Sequence, residues 1–529
     1  MIRILCGLAA NPALPADLLD RLVELAGHLH DPDEDLACAL AERTDLTGRQ
    51  VRTLAAGEQA AIHLAHAGLL DPADVDPLDR PPVALALLEE GAGPPEWARS
   101  LAAHPDPETR WQLASRPGLP LDVRESLAAD PDVSVVAELG IWTTDPALAA
   151  RLAAHPHAEV RMATAINEAV PPAALAALIT GEGLAPAASC LVCDQEEIPF
   201  THDPHCPRRD CELRGGAACA GGHESTVHDT LRRAARNPAT PSGAAASLAG
   251  HPSMIVRWSL AERTDLSQEL YAQLAADPIP GVRHETAGNP ALDGPLIRTL
   301  AADASADGQP DVRLLRLLAR LPGVPLDVLA ELARTVPLGP EPVPRLAAAT
   351  EPELAGLAAS PHPAVRALAA RGRGLAAAVR DALADDPDAA VVVCVAAHPG
   401  LSEDRLRAMV ARHGVRVLAQ VASNPDAPPA LLADLARHDP PVRRAFREIA
   451  VHPRATEPAL LACLAEPRAR ADAARHPALS AAVLVGLLDG ERPDTGTDTD
   501  TDTAEAAAAN PSLPRAAMEE LLDRAGRST

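Results

Sequence analysis

The sequence predicts an all-α solenoid of short stacked helical segments. Three observations predict it: a recurring phrase, a regular beat of prolines, and a core composition without aromatics. The phrase reads roughly Leu-Ala-x-(Asp/His)-Pro-x-x-x-Val-Arg-x-x-x-Ala-x-Asn-Pro-x-x-Pro-x-x-x-Leu. One clear copy runs Leu274-Ala275-Ala276-Asp277-Pro278, then Val282-Arg283, then Ala287-Gly288-Asn289-Pro290. Self-similarity at a fixed period marks an array in which each unit buries its apolar face only against its neighbours.

The period follows from the Val-Arg dipeptides. Val256-Arg257 recurs at Val282-Arg283, a step of 26 residues, and Val312-Arg313 follows 30 residues later. Further copies stand at Val160-Arg161, Val365-Arg366 and Val442-Arg443. Prolines keep the same beat at Asn237-Pro238, His251-Pro252, Asp277-Pro278, Asn289-Pro290, Asp386-Pro387, His398-Pro399, Asn424-Pro425 and His452-Pro453. A unit of about 25 residues therefore holds two short segments, each opened by proline.

Proline fixes φ and lacks an N–H, so it suits the first turn of a helix and not its interior. Asn, Asp, Ser or His before it is expected to cap the segment that follows. The second segment of each unit, as in Pro325-x-x-x-Leu329-x-x-Leu332-Ala333, carries one apolar face at helical period. The first, Val-Arg-x-x-x-Ala, has room for one or two turns, helical or 3₁₀. Alanine is poor in strands and no useful alternating run occurs, which argues against β-structure.

These elements resemble the leucine-rich repeat variant (LRV) family, whose consensus carries Asp-Pro, Val-Arg, Asn-Pro and Pro-x-x-x-Leu. The resemblance runs from about Leu101 to Leu178 and from about Leu231 to Leu488. It implies an α-helix and a 3₁₀-helix per repeat, stacked into a right-handed superhelix. HEAT-like pairs of longer helices are the nearest competitor, and the proline frequency disfavours them.

Along the chain, residues 1–92 read as degenerate N-terminal repeats. Leu40-Ala41-Glu42-Arg43-Thr44-Asp45-Leu46 recurs intact at Leu260-Ala261-Glu262-Arg263-Thr264-Asp265-Leu266. Regular repeats fill 93–180, a cysteine-rich insert occupies 181–225, and repeats resume over 226–490. Residues 491–505 form an acidic Asp/Thr tract, expected to be a loop without fixed structure. Residues 506–529 form a C-terminal capping unit.

Composition bounds the function. The chain is 47% hydrophobic but 1% aromatic, so leucine, valine and alanine must build the core. All 47 basic residues are arginine, and 53 are proline, a bias expected of a high-GC bacterial genome such as an actinobacterium. The net charge of −26 argues against general nucleic-acid binding, which requires neutralising phosphates. No signal peptide and no run of 18 apolar residues occurs, so the sequence reads as cytoplasmic, with no membrane partner.

Five of the nine cysteines lie in the insert: Cys190-x₂-Cys193-x₁₂-Cys206-x₄-Cys211-x₇-Cys219, with His223 close behind. Two close pairs separated by a loop suit tetrahedral zinc. Cys190, Cys193, Cys206 and Cys211 are the expected ligands, with Cys219 and His223 as alternates. Four thiolates would also suit an iron–sulfur cluster, and some LRV proteins carry one beside their repeats, at the N-terminus. Cys6, Cys38, Cys394 and Cys463 read as small core residues.

No catalytic motif of the serine-elbow, zincin, Walker or dinucleotide type occurs. His104, His155, His251, His398, His452 and His476 all precede proline in what reads as one repeat phase, as capping or packing elements. Trp97, Trp111, Trp142 and Trp258 read as core filling, or otherwise as marking a ligand surface in a chain so poor in aromatics. The recurring arginines, Arg161, Arg257, Arg283, Arg313 and Arg366, are expected to pair with acids within their own repeat, or otherwise to form an anion-binding strip. The expected function is a non-enzymatic scaffold binding a protein or peptide partner, with a structural zinc insert. The alternative is a redox- or metal-responsive protein with an iron–sulfur cluster or reactive thiols.

Overall fold

The structure, a computed structural model, describes the chain except for residues 29, 30, 32, 191–223, 307–309, 340, 373, 490–497, 528 and 529. Among the described residues helices account for all regular structure, and the only β-pairing is one isolated bridge between His157 and Ser189. The helices form two compact units. One comprises Met1–Asp74 with Leu346–Thr529, the other Val75–Arg345.

Each repeat is a pair of short antiparallel helices, called here the first and second helix. In the second unit, the first helices Pro107–Ala114, Val133–Trp142, Ala158–Thr164, Glu224–Arg236, Met254–Ala261 and Pro280–Ala287 pack in succession as one layer. The second helices Leu121–Ala128, Pro146–Ala153, Pro172–Thr180, Gln268–Ala275 and Gly294–Ala306 belong to the other. Proline sits where its ring demands. It opens the helices beginning at Pro107, Pro146, Pro172, Pro280, Pro363 and Pro429, and stands at the N-cap as Pro120, Pro241, Pro325 and Pro514.

The first segment of the repeat is a true α-helix of about two turns, as in Pro363–Ala370. The 3₁₀ segments are Pro72–Asp74, Ser247–Gly250 and Gly414–Arg416. Leucine, valine and alanine fill the space between layers, and the largest fully buried side chain is Tyr271. Its hydroxyl donates to Arg263 O at 2.8 Å, which satisfies the one polar atom it brings inside.

The residue expected to cap the following helix instead reaches back to the preceding repeat. Asn289 Nδ2 donates to Ala261 O and Arg263 O at 2.7 and 2.5 Å. Asn237 does the same to Ala165 O and Asn167 O, and Asn424 to Ala396 O and His398 O. These carbonyls lie at the end of the previous first helix, where the backbone ladder runs out. Meanwhile Asn289 Oδ1 accepts the amide of Ala291, which shapes its own turn. Buried asparagine is thus a rung joining successive repeats. The helices Ala158–Thr164 and Glu224–Arg236 are neighbours joined by the Asn237 rung, so the cysteine-rich insert leaves the stack uninterrupted.

Two assignments along the chain change. The Asp/Thr tract is helical from Asp498, within the helix Asp498–Ala508, while its earlier residues lie outside the described set. Acidic residues are favoured at a helix N-terminus, and the alanines that follow propagate it. Nor does the C-terminal pair end the stack as a cap. Ile2–Ala9 packs on Asp498–Ala508 and Ala16–Ala26 on Arg515–Gly526. Asn11 Nδ2 donates to Ala508 O and Asn510 O at 2.9 and 2.7 Å, repeating the rung geometry across the chain ends. Gly7 lies against Glu505 O, where a Cβ has no room.

Asn424→Ala removes three hydrogen bonds and orphans two buried carbonyls. It is expected to cost about 2–3 kcal/mol, read as a lower urea midpoint. Asn424→His, which substitutes the residue found at 398 and 452, should cost less than about 1 kcal/mol.

Candidate interaction surface

The recurring arginines form a second set of inter-repeat bonds. Arg257 Nε and Nη2 grip Asp277 of the next repeat at 2.6 and 3.0 Å, while Nη1 donates to His251 O and Pro252 O in its own loop. Arg366 holds Asp386 and the carbonyls of Ser360 and Pro361 in the same way. So does Arg110 with Asp130, although Thr109-Arg110 lacks the valine that flags the motif in sequence. The pairing is therefore between repeats, not within one, and these guanidiniums offer no anion strip. Burial pushes Asp386 up, but the Arg366 guanidinium and the Asp388 amide outweigh it and hold the carboxyl below its ordinary range.

Arg283 reaches only its own loop, at Asp277 O and Pro278 O. Arg161 is buried against three carbonyl oxygens, those of His155, Ala185 and Ala154, at 2.5, 2.8 and 3.4 Å. Ala185 stands at the entry to the insert. That entry is pinned further by Ala188 N–H to Pro156 O and Ala158 N–H to Ser189 O. Two sequence copies are out of register. Asp311 and Val442 are N-caps, so Val312-Arg313 lies in the first turn and Arg443 begins its helix. The buried counterparts of Val282-Arg283 are Leu314-Leu315 and Ala445-Phe446.

The histidines occupy two repeat phases rather than one. His104, His155 and His251 precede the first helix, and each Nδ1 accepts the amide two residues on. His398, His452 and His476 are rungs, with Nε2 reaching Ala370 O, Asn424 O and His452 O at 2.9, 2.9 and 3.1 Å. The repeated heptapeptide is explained likewise. Arg43 and Arg263 are rungs made of guanidinium. Each Nη1 donates to two carbonyls of the repeat before, and Asp45 or Asp265 clamps the rest.

Of the expected metal ligands, only Cys190 lies among the described residues. It is fully buried beside Ala158 and Ala187. Cys193, Cys206, Cys211, Cys219 and His223 fall outside them. Among the described residues, no group of three or more His, Cys, Asp or Glu side chains is placed to hold a metal ion. Cys6 and Cys463 behave as core residues: burial pushes their thiols up to about 11 and about 12.

The tryptophans depart from core filling. Trp97 and Trp258 are half-buried, but Trp111 and Trp142 are 37% and 54% exposed. Trp142 Nε1 is held by Glu138 at 2.7 Å. It rims a cavity of about 260 Å³ lined also by Arg116, Leu119, Arg124, Leu139 and Thr143. The cavity marks a missing rung. Residues 143–145 form a three-residue loop after Trp142, whereas six residues follow Ala261 before the next helix, and among the described residues no side chain reaches back to cap the repeat ending at Ala114. Sequence spacing carries this signal as the early Asp145-Pro146.

No family model matches this chain. No curated protein matches it either. Among solved structures it is similar to "Structure of the Pds5-Scc1 complex and implications for cohesin function". That match has 12% identity over 96% of this chain and 76% of that chain, with a TM-score of 0.21. No helix among the described residues is long and apolar enough to cross a membrane.

Burial holds the His398 imidazole below its ordinary value of 6.5, with Arg380 adding to this against the bond to Ala370 O. The unfolded chain therefore takes up the proton first. His398 should contribute fully above about pH 6.5 and lose stability as pH falls below it. Thermal melts from about pH 7.5 to 5 should fall less steeply for His398→Asn than for the parent chain.

Proposed function

We infer that this chain is a non-enzymatic helical-repeat scaffold that holds a protein or peptide partner on its surface, with repeats of the LRV type. The observation that carries this reading is the exposure of Trp111 and Trp142 on successive first helices, with Trp142 at the rim of the cavity left by the missing rung. A chain with 1% aromatics leaves two of its four tryptophans 37% and 54% exposed. Exposed tryptophan and arginine are the residues that most often anchor a partner. The buried polar groups support the same reading, since rungs and Arg–Asp pairs are consumed in holding repeats together.

In this reading the insert carries a structural zinc on Cys190, Cys193, Cys206 and Cys211. Four thiolates leave no open coordination position for catalysis. The support is the cysteine spacing together with the burial of Cys190 at a backbone-pinned entry.

A photo-reactive phenylalanine analogue at position 142 tests the scaffold reading in the source cell. A discrete protein adduct that Trp111→Ala abolishes is expected. No protein adduct, or one indifferent to that change, overturns it. Metal analysis of protein purified without added metal should find about one zinc per chain, lost in Cys193→Ser. A brown, iron-containing preparation would instead establish the cluster.

A further inference from the structure

Three exposed arginines stand at one register of three successive repeats. Arg416, Arg444 and Arg468 each lie eight residues before a rung residue: Asn424, His452 and His476. Arg447 follows Arg444 by one turn on the helix Arg443–Ala450. Among the described residues Arg416, Arg447 and Arg468 have no carboxylate partner, and Arg444 has only Glu448 at 3.9 Å. Glu466 lies 3.6 Å from the 84%-exposed Arg443.

The same register elsewhere shows what these positions can reach. Counting eight residues before Asn510 and Asn11 gives Asp502 and Arg3, which form an ion pair at 2.5 Å across adjacent repeats. At 416, 444 and 468 the register instead lines up like charges. Arg443 and Arg444 also occupy the first turn of a helix that has no acid there, where a cation meets the positive end of the dipole. Both features cost stability within the fold, in a chain whose net charge is −26. Only Glu448, 3.9 Å from Arg444, and Glu466, 3.6 Å from Arg443, offset them among the described residues.

We propose that this arginine row is the docking surface for an acidic, extended peptide segment of a partner. The inference rests on the scaffold reading above and names the partner's chemistry. Stacked helices lie about 8–10 Å apart. A chain in the polyproline II conformation advances about 3.1 Å per residue with three residues per turn, so every third side chain falls on one face at that step. The segment therefore carries carboxylates at positions i, i+3 and i+6. Exposed Val415, next to Arg416 in the chain, supplies apolar contact beside the row.

The test uses the full chain and fluorescein-labelled Ser/Gly peptides with three aspartates, followed by anisotropy at low salt. One peptide spaces the aspartates every third residue, one clusters them, and a single-stranded oligonucleotide of equal charge is the third probe. The spaced peptide should bind at least about tenfold more tightly than the clustered one. Arg444→Glu should weaken it by about tenfold or more, with the thermal midpoint unchanged or raised because self-repulsion is relieved. Equal binding of the two peptides, no effect of Arg444→Glu, or tighter binding of the oligonucleotide overturns the proposal. An adduct at position 142 obtained alongside such a result would leave the scaffold reading standing.

Discussion

The structure depends on one recurrent interaction: a polar side chain at the end of most first helices donates to the closing carbonyls of the repeat before it. Short helices expose a high proportion of unpaired backbone groups, four at each end. A pair of two-turn helices cannot satisfy these alone, and burying them unpaired would cost more than the apolar contact returns. Asn424, Asn289 and their equivalents solve this by making each repeat the cap of its predecessor. Adhesion between layers is therefore directional as well as hydrophobic, and the register between repeats is fixed by hydrogen bonds. The Arg–Asp pairs do the same on the opposite loops, from Arg110–Asp130 to Arg366–Asp386.

Three residue types fill the rung position, and each meets the same demand differently. Asparagine offers two donors and one acceptor in the smallest volume. Histidine offers one donor and one acceptor but ties the fold to its neutral form. Arginine spans farther and brings a charge that its own Asp must balance, which is why Arg43 and Arg263 travel with Asp45 and Asp265. This degeneracy keeps the repeats structurally alike while their sequences diverge, and it hides several of them from a search for Asn-Pro alone.

Much of the architecture was legible in the residues. Proline spacing marked the helix starts, and the Ala/Leu pattern marked the faces that meet. The direction of the side chains was not. Nothing in Asn-Pro says whether the amide turns forward to cap or backward to bridge, because both satisfy local geometry. The misassigned copies at Val312-Arg313 and Val442-Arg443 show the limit of dipeptide matching, since burial follows the N-cap and not the spelling. The candidate surface was harder still. Trp142 is exposed because a loop is short, and Arg416, Arg444 and Arg468 form a row only once the rungs have set the register.

The pairing of Ile2–Ala9 with Asp498–Ala508 carries a consequence for the ends of the polypeptide. Tandem arrays commonly shield their outermost layers with polar-faced helices. Here the last layer is covered by the first, with Asn11 bonded as though the backbone continued and Arg3, Arg21 and Arg515 pairing with Asp502, Asp523 and Asp17. Deleting Ile2–Ala9 or Asp498–Ala508 would thus uncover the apolar face of the other, a leucine-rich face in the first and an alanine-rich one in the second.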